Sequence, residues 1–468
     1  MNKYKKLVGN SIIFGIGNFG SKILLILLVP MYTHYLSAAD YGTIDIITTT
    51  STMLLPIISM SIYEAVLRFG MDKNESLQSV LTNALAITVI GILIALLIYP
   101  LLSYYNIFGG LLIYLYIILI LEAFLSITAQ YARAIGKVKI YAVNGIIKTL
   151  VLGISNVLLL VVFSQGIKGF FYSMIISNLI SIAFYLIYTS VLKNIKLNKL
   201  NIKLTTNMLK YSIPLIPNSL MWWLMNASSR YFILFYRGVE VNGIFAASSK
   251  IPAILTIFTS IFSQAWQLSA IEEYNSESKS KFFNKIFNYY QAFLLIVTSA
   301  ILVILKPLIK LAFAEEYILS WHYVPFLLLS VVFSSFSGFL GTNYIAAKET
   351  KGVFKTSVIG GCLSIILNIV LVPILGGVGA GISALISFLV IWILRVYDTK
   401  RYIDININVI KLVSSLFIIS IQIIILFSKF NILVETGLLL LFFILLLISH
   451  GKIIFEMFRK GTRYLINR

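Results

Sequence analysis

Apolar residues run along this chain in blocks of about 20, the length that crosses a bilayer as a helix. Short breaks rich in Lys, Asn, Asp and Gly separate them. The blocks are too long for strands and too apolar around the whole helix circumference for a helix with one wetted face. Fourteen membrane-crossing helices are predicted, at 9–34, 43–67, 80–102, 111–131, 141–163, 170–192, 211–236, 243–269, 288–311, 321–345, 356–375, 379–397, 411–428 and 433–454. Gly376 and Gly377 stand at the short break between the eleventh and twelfth, where they either end one helix or kink a single long one.

The breaks are unequal in charge. Counting from a cytoplasmic N-terminus, one side collects nearly all of the Lys and Arg, from Lys3, Lys5 and Lys6 through Lys193–Lys210 and Lys279–Lys285 to Arg395, Lys400 and the tail beyond Lys452. The opposite side holds only Lys168, Arg237, Lys306, Lys310 and Lys429. Basic residues are retained on the cytoplasmic side during insertion, so this bias predicts an even number of spans with both termini cytoplasmic. The loops on the other face are short and leave no room for an external domain. The basic tail, with Phe455, Phe458 and Tyr464 interleaved, suits anionic lipid headgroups.

Composition agrees: 59% of the 468 residues are hydrophobic and 12% charged, which excludes a soluble domain. The net charge of +20 is then mostly topology, and nucleic acid is not the expected partner. Cys362 is the single cysteine, so no intrachain disulfide can form. His34, His322 and His450 lack the spacing of a metal site. There is no phosphate-binding glycine loop and no His-Glu-x-x-His, so no cofactor and no enzymatic activity are expected. The first apolar block follows three lysines as a secretory signal would, but it has no small-residue cleavage site and reads as an uncleaved helix.

Short patterns recur at a spacing of roughly 200 residues. Tyr35 and Gly42 are echoed by Tyr236 and Gly243, Pro100 by Pro307, and Tyr131 with Asn156 by Tyr344 with Asn368. The expected organisation is an N-lobe at 1–200, a C-lobe at 201–410, and two extra helices with the tail at 411–468. The fold class is an all-α polytopic membrane protein. Its two six-helix bundles would be related by a pseudo-two-fold axis along the membrane normal, an arrangement that places substrate between repeats.

Four cations, Lys22, Lys148, Arg230 and Lys250, fall inside predicted spans. Each costs about 2.5–3.5 kcal/mol if it faces lipid at mid-bilayer, so a water-filled cavity that receives an anion is the natural home for them. Lys22 lies too deep to snorkel, and faces either that cavity or an internal acid, Glu122 or Glu64. Lys148 is close enough to the cytoplasmic end of its helix that snorkelling is the alternative. Glu122 is read as the only deeply placed carboxylate, either neutralising a lysine or titrating to couple transport to protons. Arg68 either pairs with Glu64 one turn earlier or guards the cytoplasmic mouth. Trp222, Trp223 and Trp266, with Asn218, Asn226, Gln264 and Gln267, combine aromatic faces with amides as sugar rings require; interface anchoring is the alternative for the tryptophans.

The stretch Met208-Leu-Lys-Tyr-Ser-Ile-Pro-Leu-Ile-Pro-Asn-Ser-Leu-Met-Trp-Trp223 resembles the opening of the second half of bacterial polysaccharide repeat-unit flippases. These are the Wzx-type members of the multidrug/oligosaccharidyl-lipid/polysaccharide exporter superfamily. Asn226 to Arg230, Gly243-Ile-Phe-Ala-Ala-Ser-Ser-Lys-Ile251, Phe262-Ser-Gln-Ala-Trp266 and Pro30-Met-Tyr-Thr-His-Tyr-Leu-Ser-Ala-Ala-Asp-Tyr-Gly42 are similar to further parts of the same family. The resemblance implies a V-shaped cationic cavity in the bacterial inner membrane. It implies movement of an undecaprenyl-diphosphate-linked oligosaccharide to the outer leaflet, a possible H+ or Na+ coupling ion, and other polysaccharide assembly proteins as partners. It also implies Arg230 and Lys250 as cavity cations, and Asp40 and Gly42 as loop determinants. The family often places an acid directly before this arginine; Ser229 stands there instead, so an Asp–Arg pair is expected to be missing. Flipping of a teichoic-acid unit or a peptidoglycan precursor is an alternative on the same chemistry. A cation-coupled multidrug antiporter would want an acid in the first helix, which has Lys22, and a glycan polymerase or ligase would want a sizeable external loop.

Overall fold

The computed structural model describes residues 20, 24–72, 75–274, 276–277, 279–347, 351–405, 407–453 and 455–456. Lys22 and the tail from 457 onward lie outside the described residues. All regular structure among the described residues is helical. Ten helices are long and apolar enough to cross a membrane, or twelve when two bent pairs each count as one span. The remaining two predicted spans correspond to the shorter helix Leu24–Tyr35 and to a helix broken at Ser228.

The chain divides into two compact units, Met1–Tyr231 and Phe232–Arg468. The first contains α1 (Leu24–Tyr35), α2 (Ala38–Ile58), α3 (Ile62–Gly70), α4 (Leu77–Tyr104), α5 (Leu112–Ala134), α6 (Val138–Asn156), α7 (Gly166–Thr189), α8 (Ile202–Ser212) and α9 (Leu215–Ala227). The division falls within α10 (Ser229–Arg237). In the second unit follow α11 (Val239–Ser248), α12 (Lys250–Glu273), α13 (Lys279–Ala312), α14 (Val324–Ala346), α15 (Lys351–Leu375), α16 (Gly377–Thr399), α17 (Val409–Phe427) and α18 (Ile432–Ser449).

In the first unit, Ser51 meets Glu122, and a methyl on Gly70 would meet Ala134, so α2–α3 runs parallel to α5. Tyr114 stacks on Phe171, and the Lys137 amine after α5 reaches the Tyr188 carbonyl, so α7 runs the same way. Asn144 bonds Ser181 while Gly169 abuts Leu159, which makes α6 antiparallel to α7. The second unit repeats this order. Phe245 and Trp266 meet Tyr323 and Phe339, so α11–α12 and α14 run together. Ser337 reaches the Phe388 carbonyl and Gly341 lies against Arg395, so α16 joins them in the same direction. The reverse element α15 pairs with α16 through Gly352 at Asp398, Gly360 at Ile391 and Leu371 at Gly379. Gly376, at φ +58°, lets the chain turn back, so α15 and α16 are two helices rather than one kinked one.

The span α2–α3 bends by 56° where Met60 and Ser61 take left-handed backbone conformations. The Ile58 carbonyl there presses on Gly91 of α4, where any Cβ would overlap it. The basic linker after α7 is pinned to its own unit. Thr82 Oγ1 accepts from the Lys196 amide, and buried Asn83 accepts from Asn201 N and Thr205 Oγ1. Next, Leu204 and Met208 of α8 enter the core with Ile62, Val66, Leu81 and Tyr131. The contact boundary therefore falls beyond the linker, because α8 and α9 pack with the first unit.

Two arginines expected at the ends of helices are tied to neighbouring helices, one buried and one exposed. Arg395, only 3% exposed, donates to Thr356 Oγ1, the Ser337 carbonyl and Ser357 Oγ, tying α14, α15 and α16 together instead of standing at the cytoplasmic surface. Arg237 donates to the carbonyls of Val372, Pro373 and Ile374 and so caps the C-terminus of α15, where a cation is favoured. Buried Gln422 of α17 accepts from Ser299 of α13 and donates to the Leu439 carbonyl of α18, which fastens the last two helices to the second unit.

Candidate functional site

Helix α2 carries an unusual load for a membrane span. Ser37 caps its start, accepting from the Asp40 amide, so Asp40 and Gly42 belong to the helix's first turns and not to a loop. Asp45 follows, and then an unbroken run from Thr48 to Thr52. Each hydroxyl along it except Thr49's and Ser51's returns a bond to a carbonyl three or four residues back, which lets them sit in an apolar setting.

The helices α9 and α10 lay three polar contacts on this run. Arg230 Nε donates to Asp45 Oδ2 at 2.7 Å. The Trp223 indole N–H donates to the Thr49 carbonyl at 3.0 Å, and the hydroxyls of Tyr231 and Thr50 lie 2.6 Å apart. Trp223 and Tyr231 also meet edge to face, with centroids 5.4 Å apart. The chain reaches this geometry because the helix breaks at Ser228. There Tyr231 N bonds the carbonyl three residues back, tightening the turn and bringing Arg230 and Tyr231 onto one side.

Arg230 therefore has an acid, contrary to the expectation drawn from Ser229. The carboxylate comes from 185 positions away, on α2. Asp45 is likewise a second carboxylate within a span, so Glu122 is not alone. Both partners are largely withdrawn from solvent, at 16% and 11% side-chain exposure, so their attraction is less screened than in a surface bridge and loss of either would leave the other's charge uncompensated. Arg230 Nη1 donates to the Asn226 carbonyl at 3.1 Å, while Nη2 makes no hydrogen bond among the described residues. The outer edge of the guanidinium is thus left for a planar or tetrahedral oxyanion.

The sequence-selected residues fall into separate groups. Trp223, Asn226 and Arg230 come together; the exposed Asn226 amide turns back to the Trp222 carbonyl, and its own carbonyl serves Arg230. Glu122 and Lys148 form a second group. Glu122 Oε2 accepts from Ser51 at 2.9 Å, and Glu122 and Lys148 act electrostatically on each other without closing an ion pair within 4.0 Å. Arg68 is exposed in the last turn of α3 and forms no ion pair with Glu64, so of its two readings the helical pair is not made.

In the second unit, Lys250 opens α12 just after the 41° bend that Ser249 introduces, and it is partly buried. Trp266 departs from both readings made for it. At 3% exposure it stacks on Phe339 and donates its N–H to the Phe339 carbonyl, with Phe262, Phe282 and Phe283 around it. Buried this way, it offers no face to a sugar and anchors no interface. The Gln264 side chain lies outside the described residues. Among the described residues, no three His, Cys, Asp or Glu side chains gather as a metal site would need.

The Asp45 contacts were open to sequence reasoning in one respect. An aspartate followed by five consecutive hydroxylic residues inside a predicted span is itself a functional signal. Its partner was not, since no local pattern links residue 45 to residue 230.

Comparison with known proteins adds the family. The family model described as polysaccharide biosynthesis protein matches residues 7–267. No curated protein is matched by sequence. Among solved structures, the lipid II flippase MurJ in an inward closed conformation aligns over 95% of this chain and 100% of its own, with a TM-score of 0.72 at 15% identity. An inward-facing multidrug resistance MATE family transporter of the MOP superfamily aligns over 81% of this chain and 94% of its own, with a TM-score of 0.69 at 13% identity. At these identities the likeness shows a shared fold.

Proposed function

Because this chain belongs to the polysaccharide biosynthesis protein family, we propose that it flips a polyprenyl-diphosphate-linked oligosaccharide repeat unit from the inner to the outer leaflet of a bacterial cytoplasmic membrane. Its ten to twelve apolar helices make it a multi-pass membrane protein, and the family together with a fold shared with flippases and transporters supports the reading. The finer reading rests on one observation: a guanidinium inside the membrane-spanning bundle that keeps an unbonded edge, at Arg230. A guanidinium fork matches two phosphate oxygens at once, as an ammonium cannot. A diphosphate is the part of such a lipid that most resists entering the bilayer, so an oriented cation within the bundle lowers the barrier where it is highest.

Several supporting roles belong to the same proposal. The excess of Lys and Arg on one side argues for cytoplasmic termini, and therefore for loading from the cytoplasmic leaflet. Lys22 and Lys250 are further candidate cations for the anionic headgroup. Glu122, within electrostatic range of Lys148, suits neutralising that lysine, and any coupling to H+ or Na+ would pass through the charge balance of these two. Other polysaccharide assembly proteins would be its partners.

A second reading, flipping of a peptidoglycan precursor, is favoured by the likeness to a lipid II flippase. One experiment separates them. In a deletion strain, the lipid-linked glycan that accumulates on the cytoplasmic side identifies the substrate. Accumulation of a polysaccharide repeat unit with lipid II unchanged supports the main reading; accumulation of lipid II alone replaces it. Arg230→Ala, inserted at the normal level, is expected to fail to restore export, and full restoration would remove the diphosphate role.

A further inference from the structure

We propose that Asp45 is a positioning residue that holds Arg230 with its Nη edge presented to a diphosphate, and that it acts with the anion instead of being displaced by it. This deepens the function proposed above and rests on it. The geometry decides between the two roles. A guanidinium has two bidentate edges, Nε–Nη2 and Nη1–Nη2, and a carboxylate and a phosphate compete only where both need the same edge. Asp45 takes the first edge through Nε, at 2.7 Å, and the Asn226 carbonyl takes one proton of Nη1 at 3.1 Å, which leaves Nη2 and the second Nη1 proton for the anion. Two fixed points, one on α2 and one on α9, set both the direction and the roll of the guanidinium plane. The rotamer freedom that a long side chain loses on binding an anion has then been lost beforehand.

The neighbouring contacts prevent this arrangement from drifting. The Trp223 indole on the Thr49 carbonyl and the Tyr231 hydroxyl on Thr50 bracket Arg230 and fix α9 and residues 229–231 against the same turns of α2 that carry Asp45. The charge of Asp45 also offsets that of Arg230. Recognition then depends on the direction of hydrogen bonds more than on net charge, so a carrier that must release its cargo does not trap it.

The test uses purified full-length protein and inorganic pyrophosphate, with a short-chain polyprenyl diphosphate as a second arm. Arg230→Ala and Asp45→Ala are each expected to weaken pyrophosphate binding at least tenfold, and the double variant to be no worse than either. Asp45→Asn, which keeps an oxygen for Nε, should recover most of the loss. The charge exchange Asp45→Arg with Arg230→Asp should restore thermal stability without restoring binding, which a purely structural pair would not predict. Asp45→Ala binding pyrophosphate as well as the unaltered protein, or better, would overturn the positioning role and make Asp45 a competitor. Arg230→Ala without effect would overturn the proposed function itself. Binding of pyrophosphate but not of the polyprenyl diphosphate would assign the site to a free anion and overturn the lipid reading.

Discussion

Lys306 donates to Glu435 across 2.8 Å, joining α13 to α18 at a point where the Glu435 side chain is 9% exposed. The same ammonium stands 4.4 Å above the ring of Trp321. Removing one member of a buried pair leaves the other charge without compensation and costs about 3–5 kcal/mol. Glu435→Ala is therefore expected to lower the unfolding temperature of the detergent-solubilised protein markedly, by uncoupling the last two helices. Lys306→Met with Glu435→Leu should recover most of it, because both charges then leave together. Equal loss in the double variant would mean that shape, not charge, is at stake.

His322 stacks on Trp321 at 3.8 Å and its Nδ1 lies 3.0 Å from the Leu319 carbonyl. Burial is the main cause of its lowered pKa, with Lys306 adding to the fall and the Leu319 bond opposing it. A histidine whose pKa is depressed on folding takes up its proton more readily in the unfolded chain. Its contribution to stability is thus present above the unfolded value of about 6.5 and is lost as pH falls through and below it. Unfolding curves at pH 7.5 and 5.5 should show a destabilisation on acidification that is smaller in His322→Gln.

Gly91 leaves no room for a side chain. A methyl there would overlap the Ile58 carbonyl at the end of α2, and that backbone is held by the bend at Met60 and Ser61. Overpacking against fixed backbone costs typically 1–3 kcal/mol. Gly91→Ala should reduce the folded fraction recovered from membranes, with Gly110→Ala as a control at a glycine whose added methyl meets nothing within 4 Å. Normal recovery of Gly91→Ala would show that α2 can shift.

Asn83 is 1% exposed and accepts from both the Asn201 amide and Thr205 Oγ1, the latter at 2.7 Å. Asn83→Ala strands those donors, a loss of about 1–3 kcal/mol, and it falls locally on the linker. The expected result is faster proteolysis between Lys193 and Asn201, with the span helices still protected. Unchanged cleavage rates would show that Thr82 and the α8 core contacts suffice to hold the segment.

The period and length of the apolar blocks made the helical architecture readable from residue order. Both signals are local: a helix is written in the residues it contains. The deep cations were readable for the same reason, since a lysine or arginine inside an apolar run is conspicuous wherever it folds. Pairing across the chain obeyed no such rule. Arg230 seemed to lack an acid because its neighbours in sequence offered none, yet packing brings Asp45 from 185 positions away. Trp266 read as a sugar platform or an interface anchor from its place near a helix end, and contact with α13 and α14 buries it instead. Arg395 read as a surface cation, and two adjoining helices supply the hydroxyls and carbonyl that let it stay inside. Residue order set which segments cross the membrane, because transfer from water depends on composition alone. Which polar group satisfies which other group was left to the tertiary structure, because hydrogen bonds and ion pairs depend on distances that only packing creates.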